Sequence, residues 1–267
     1  MLSLNEGWVP MAQASLWPWL SSGRDALRRS RERLMVLGGE VAWAALEPKL
    51  EPTRYARAED RARAMHGICR RLCRTHGITA RVQGALPDEP VILACNHLSY
   101  LDPVVIMALR PCSAVAKVEV SGWPVVGELL ESLGIIFVDR GHPGSGAVAL
   151  RKARRCLEAG VSLLNFPEGT TTRGDVVLPF HRGIFGLAEM TRHPIVPVAL
   201  AFDDPEAAWV GDEAFLPHYA RQSARPSTTV QVTIGDPVHP RGFVSPEAIA
   251  SHVRGAMLEL LAADAPH

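Results

Sequence analysis

The sequence predicts an α/β protein, a mixed and mostly parallel sheet flanked by helices, preceded by an N-terminal helical arm that associates with a membrane. Three observations carry this. From residue 78 onward, apolar runs of strand length alternate with segments of helical length, the pattern of βα units. Polar loops around His97/Asp102, Arg140 and Glu168/Gly169 each follow such a run, as they must to gather a site along the carboxyl edge of a sheet. Four of the six tryptophans fall within residues 1–53, which sets that stretch apart from a domain at 54–267.

The arm contains Trp8, Trp17, Trp19 and Trp43. Residues 7–23 are uncharged but interrupted by Pro10 and Pro18, and fall short of the roughly 20 apolar residues that span a bilayer. No basic segment precedes them, against a secretory signal. Residues 34–39 and 41–46 flank Glu40 and are again too short to span. Tryptophan favours the headgroup level, so the arm reads either as an interfacial segment or as an ordinary packed helix. Residues 55–74 show a helical stripe of Ala58, Ala62, Met65, Cys69 and Leu72. Arg57, Arg61, Arg63, Arg70, Arg71 and Arg74 crowd the other face against Glu59 and Asp60 alone. That face is solvated, or lies against anionic lipid at about 1 kcal/mol per basic residue.

His76-Gly77 ends this helix, and 78–82 reads as a strand before a turn at Pro87-Asp88. Residues 91–94 are a buried strand and 104–109 a buried helix. Strands follow at 113–118 and 134–138, then a Gly/Pro-rich turn at 142–146 and a helix at 147–158. Residues 161–166 form a strand, 167–174 a polar loop, and 178–183 open a helix. The strand at 195–200 contains Pro197, which implies an edge position or a bulge. A strand at 228–234 precedes a last amphipathic helix, capped by Ser245-Pro246-Glu247 and carrying Ile249, Val253, Met257 and Leu260.

Composition narrows the function. A 47% hydrophobic chain of 267 residues can bury a core, and zero net charge argues against nucleic acid as partner. Charge is uneven: residues 1–80 carry 13 Lys+Arg against 8 Asp+Glu, and 81–267 carry 15 against 20, so the basic end is the one suited to an anionic surface. Five cysteines at 69, 73, 95, 112 and 156 have no paired framework, which predicts reduced thiols, and no metal-ligand pattern stands out.

The chemistry centres on residues 95–103. His97 sits where a strand leaves the core, and Asp102 at the mouth of the next helix. A carboxylate that holds one imidazole nitrogen protonated frees the other to accept a proton, which makes a general base with its orienting partner. Asp102-Pro103 also reads as a helix cap, a role compatible with catalysis. Arg140, at a strand end close to a helix N-terminus, suits a phosphate. The Lys-Ser ending of a nucleotide P-loop is missing, which disfavours ATP or GTP.

Four blocks in order, residues 96–102, 134–140, 166–170 and 195–198, resemble the glycerolipid acyltransferase family of 1-acylglycerol-3-phosphate and other lysophospholipid acyltransferases. The resemblance implies acyl transfer from acyl-CoA or acyl carrier protein to a lysolipid hydroxyl, with no cofactor or metal, at the cytoplasmic face of a membrane. It makes His97 the base and Asp102 its partner, and places Arg140, Glu168 and Gly169 around the acceptor's phosphate and glycerol. Ser99, Thr170, Arg173 and Arg182 complete the implied substrate-binding set. One departure bears on the acceptor. Where phosphatidate-forming members continue with an Arg-Ser pair, this chain has Thr171-Thr172, closer to enzymes using other lysolipids, lyso-ornithine lipid among them. Arg173 and Arg182 are the candidates to restore the missing cation. Rival readings are a lipid or thioester hydrolase, which lacks a Gly-x-Ser-x-Gly nucleophile motif here, and a non-catalytic lipid-binding protein.

Overall fold

The computed structural model describes residues 17–263 apart from Pro124, Arg140 and Pro143. Seven strands form one sheet in the order β1-β7-β6-β2-β5-β3-β4: β1 (Ile78–Gln83), β2 (Ile92–Cys95), β3 (Cys112–Lys117), β4 (Ile136–Val138), β5 (Ser162–Asn165), β6 (Ile195–Phe202) and β7 (Thr228–Ile234). All neighbours are parallel except β6 and β7, so the sheet is mixed and mostly parallel, as the alternating pattern predicts.

The central strand β2 is buried on both faces, which explains its unbroken apolar run. Leu93 and Cys95 face one layer, with α2 (Ala58–His76) and α3 (Leu101–Leu109). Ile92 and Ala94 face the other, with α5 (Ser145–Glu158), α6 (Gly183–Thr191) and α8 (Pro246–Ala263). Gly77 closes α2 at φ 65°, a left-handed position that glycine takes without strain and that turns the chain into β1. Two further helices, α4 (Val126–Ser132) and α7 (Phe215–Ala224), have no counterpart in the sequence pattern.

Pro197 does not mark an edge: β6 lies inside the sheet, between β2 and β7. The bulge half of the expectation is what the structure uses. Between the pairs Val198↔Ile234 and Ile195↔Val238 the partner chain carries one residue more than β6 does, and the Pro197 carbonyl accepts the Gly235 N–H at 2.9 Å. The N–H that proline lacks is therefore not called for.

The 34-residue helix α1 (Trp17–Leu50) joins the two apolar stretches of the arm, while Trp8 and Pro10 lie outside the described residues. Arg33 is buried and donates to the carbonyls of Thr75, Ser223, Arg225 and Pro226, the exposed ends of α2 and α7. The Ser30 and Ser223 hydroxyls meet at 2.8 Å. Glu40 pairs bidentately with Arg71 at 2.7 and 2.8 Å. The arginine face of α2 is thus partly consumed inside the protein: Arg71 goes to α1, Arg63 to Asp60, and Arg61 to the carbonyls of Tyr55 and Ala56. No described helix is long and apolar enough to cross a membrane.

Candidate active site

The site lies beyond the carboxyl ends of β2 and β5. These strands are adjacent and parallel, with Ala94 paired to Asn165, so His97 and Glu168, each three residues further on, emerge at the same level. His97 Nδ1 lies 2.8 Å from Asp102 Oδ2, and the same oxygen accepts the backbone N–H groups of Leu98 at 2.6 Å and Ser99 at 2.8 Å. Asp102 is 0% exposed, whereas the His97 side chain keeps 21%. An acceptor-only carboxylate assigns the proton to Nδ1 and leaves the Nε2 lone pair, which has no partner among the described residues, as the available base. The Phe166 ring stacks on the imidazole, with centroids 4.0 Å apart and planes at 20°. Asp102 sits inside the first turn of α3 and reaches back to its own approach loop, so it is not the helix cap; that position belongs to Tyr100.

Four other segments hold this loop. The side-chain amide of Asn96 donates to the Leu200 carbonyl at 2.9 Å and accepts the Leu200 N–H at 2.7 Å, acting as a surrogate strand residue against β6. The His97 N–H goes to Glu168 Oε1 at 3.0 Å, and its carbonyl receives the Thr172 N–H at 2.8 Å. The Leu98 carbonyl receives the Trp209 N–H at 2.8 Å. Tyr100 packs edge-on against Trp209 and Phe215, and its hydroxyl donates to Nδ1 of buried His218 at 3.1 Å.

Glu168 is 4% exposed, and its second oxygen accepts the Leu178 N–H at 2.8 Å. Burial raises its pKa, opposed by those two N–H groups and by the nearby charges of His97 and Arg254. Each carboxylate oxygen thus accepts one backbone N–H, so Glu168 ties the loop at His97 to Leu178. Gly169, at φ 78°, makes the turn, its N–H donating to the Phe166 carbonyl at 3.0 Å.

The remaining expected residues divide. Ser99 is fully buried and its hydroxyl has no partner among the described residues, while its N–H goes to Asp102. Thr170 and Arg173 are exposed on the loop after β5. Arg182 spends its charge on Glu247, 3.2 Å away on α8, with 78% of its side chain exposed. Arg140 lies outside the described residues. Asn96, Phe166, Trp209 and Leu178 are among the participants that sequence reasoning missed; of these four, only Asn96 and Phe166, within the quoted blocks, left any signal.

Two cavities lie elsewhere. One of about 400 Å³ opens beside Tyr55, Arg61, Lys152 and Arg155, and another of about 670 Å³ beside Pro197, Phe243 and His252; neither is lined by His97. Among the described residues no group of three or more His, Cys, Asp or Glu could hold a metal.

Comparison with known proteins places this arrangement. Residues 76–201 match the family described as Acyltransferase. A lyso-ornithine lipid O-acyltransferase of Pseudomonas aeruginosa is 30% identical over 239 residues, covering 87% of this chain and 92% of that protein. A 1-acyl-sn-glycerol-3-phosphate acyltransferase of Limnanthes douglasii is 34% identical over 170 residues, 62% of this chain and 60% of that one. The crystal structure of a 1-acyl-sn-glycerophosphate acyltransferase from Thermotoga maritima shares the fold, with a TM-score of 0.66 at 21% identity over 91% of this chain and 97% of that one. With the His97/Asp102 pair at the carboxyl edge and a relative aligned over nearly its whole length, the chain belongs to the acyltransferase family.

Proposed function

We propose that this enzyme transfers a fatty acyl group from an acyl-CoA or acyl carrier protein thioester to the hydroxyl of a lysolipid. The observation that carries the reading is the 2.8 Å contact between His97 Nδ1 and Asp102, which leaves Nε2 free at the partly exposed end of a clamped loop. Nε2 takes the hydroxyl proton as the oxygen attacks the thioester carbonyl. The tetrahedral intermediate collapses, the C–S bond breaks, and the imidazolium returns its proton to the departing thiolate. The acceptor oxygen is itself the nucleophile, so no acyl-enzyme forms. Asp102 stabilises the transient imidazolium, and base catalysis of this kind contributes roughly 10² to 10⁴ in rate.

For the acceptor, lyso-ornithine lipid is favoured by Thr171-Thr172 in place of an Arg-Ser pair and by the lyso-ornithine lipid O-acyltransferase of Pseudomonas aeruginosa, which aligns over 87% of this chain. Lysophosphatidate is the second reading; exposed Arg173, with no partner among the described residues, is a cation placed to meet a phosphate. The enzyme works at the cytoplasmic face of a membrane as a peripheral or monotopic protein. Support comes from α1, where Leu34, Met35, Trp43, Leu46 and Leu50 are exposed while Glu40, the one charge among residues 34–46, turns inward to Arg71.

The test is thioester consumption with lyso-ornithine lipid, lysophosphatidate and other lysophospholipids offered in turn, with His97→Ala as control. Acceptor-dependent turnover that His97→Ala abolishes is the expected result. Thioester loss without an acceptor would make the enzyme a hydrolase, and undiminished turnover in His97→Ala would remove the mechanism.

A further inference from the structure

The last helix is tied to the chain that follows the β5 loop by the side chain of Arg254. Arg254 lies on α8, outside residues 76–201 that match the family, and its guanidinium is aimed at residues 177 and 178. Its Nε is 3.1 Å from the carbonyl oxygens of both Val177 and Leu178, and Nη2 also donates to the Val177 carbonyl. The N–H of the same Leu178 goes to Glu168 Oε2, and Glu168 Oε1 holds the N–H of His97. A continuous run of hydrogen bonds therefore leads from α8, through residues 177 and 178 and a buried carboxylate, to the backbone of the general base.

We propose that Arg254 is a positioning residue for acyl transfer: by gripping the carbonyls of Val177 and Leu178 it seats Glu168 against the His97 backbone, and so fixes where the imidazole stands relative to the acceptor hydroxyl. The inference rests on the reading of His97 as the base.

Chemistry gives this arrangement a signature that a purely structural arginine would lack. The charged groups facing Glu168 are His97, from the loop after β2, and Arg254, from α8. Glu168 accepts its two N–H groups most strongly as a carboxylate, because protonation turns one oxygen into a hydroxyl, a much weaker acceptor. Burial already raises its pKa, and the Arg254 charge is one of the influences holding it down. Without that charge the carboxyl protonates at higher pH, and the seat under His97 loosens there.

The experiment measures kcat and KM for donor and acceptor across the acid limb of the pH profile, in the full-length chain. Arg254→Gln is expected to lower kcat about 10- to 100-fold, the scale of a misplacement of about 1 Å. Both KM values should stay within about twofold, because Arg254 touches neither substrate in this reading. The acid limb should move to higher pH. Arg254→Lys keeps the charge but cannot fork across two carbonyls, so the limb should return to its wild-type position while kcat recovers only in part. Glu168→Gln breaks the same run of contacts, and adding Arg254→Gln to it should slow the enzyme by no more than about twofold.

A wild-type kcat and pH profile in Arg254→Gln would overturn the proposal, as would losses that multiply in the double variant. Should Arg254→Gln fail to fold, Arg254→Lys decides, since wild-type kcat in that variant is equally fatal. Absence of any acceptor-dependent turnover in the wild type strikes the acyl-transfer reading itself. Turnover that needs His97 but ignores Arg254 strikes only this inference.

Discussion

In the proposed mechanism the ring nitrogen of His97 that takes the proton is set by its neighbour, and the manner of that setting makes a sharp prediction. Three N–H groups converge on Asp102 Oδ2, while Oδ1 is buried without a partner among the described residues. Asparagine can therefore place its carbonyl oxygen where Oδ2 lies and its amide where Oδ1 lies, keeping all three contacts. Asp102→Asn should fold, at a stability cost of about 1 to 3 kcal/mol for a buried unpaired donor, and should lose only the negative charge. The expected result is a kcat lower by about a hundredfold, within the usual span of base catalysis, with KM little changed; steady-state kinetics beside a melting curve check both parts. The pair was legible because His97 and Asp102 are local in sequence and their chemistry is carried by side chains. The clamp around them was not. Asn96 finds Leu200 across 104 residues, Glu168 finds His97 across 71, and Ser99 acts through a backbone N–H that every residue type except proline possesses.

Among the elements, those with an unbroken signal were read closely: β7 spans the expected residues 228–234, and β2 begins one residue inside its apolar run. The helices that escaped reading have physical reasons. α7 carries Pro217 and His218 in its first turn, and the face it buries is His218, Tyr219, Gln222 and Ser223 while Leu216 is exposed, so no apolar stripe marks it. The helix α1 was legible only in pieces, because a glycine pair and a half-buried glutamate interrupt its hydrophobicity. Its exposed half carries its own prediction. Met35 and Leu46 project into solvent, so Met35→Glu with Leu46→Glu should leave the melting temperature nearly unchanged, surface changes of this kind lying within about 0.5 kcal/mol each. Binding to anionic liposomes should fall severalfold in a flotation assay. Unaltered binding would detach α1 from the membrane reading.

For the molecule as a whole, two imidazoles, half-buried His76 and fully buried His218, link acidity to stability. His76 joins α2 to α7 by accepting the Tyr219 hydroxyl at 2.8 Å, and His218 joins α7 to Tyr100. Burial lowers the pKa of both below the ordinary 6.5. Between that value and the lower folded one, the unfolded chain binds protons that the native protein refuses, so native stability should be full above about pH 6.5 and fall as pH drops below it. Glu168, whose pKa is raised, works in the opposite sense below neutrality and offsets part of the loss. Melting temperatures measured against pH should decline on the acid side, and replacing both histidines by asparagine should flatten that decline.

The four carbonyls gathered by Arg33 have a consequence for anyone handling the protein. They belong to the ends of α2 and α7, so the helix proposed to meet the bilayer is also a beam of the folded α/β architecture. Cutting it away to obtain a detergent-free catalytic fragment would leave those carbonyls unanswered and the rest of the chain poorly assembled. A soluble preparation is better sought by repainting the outer face of that helix than by shortening the chain.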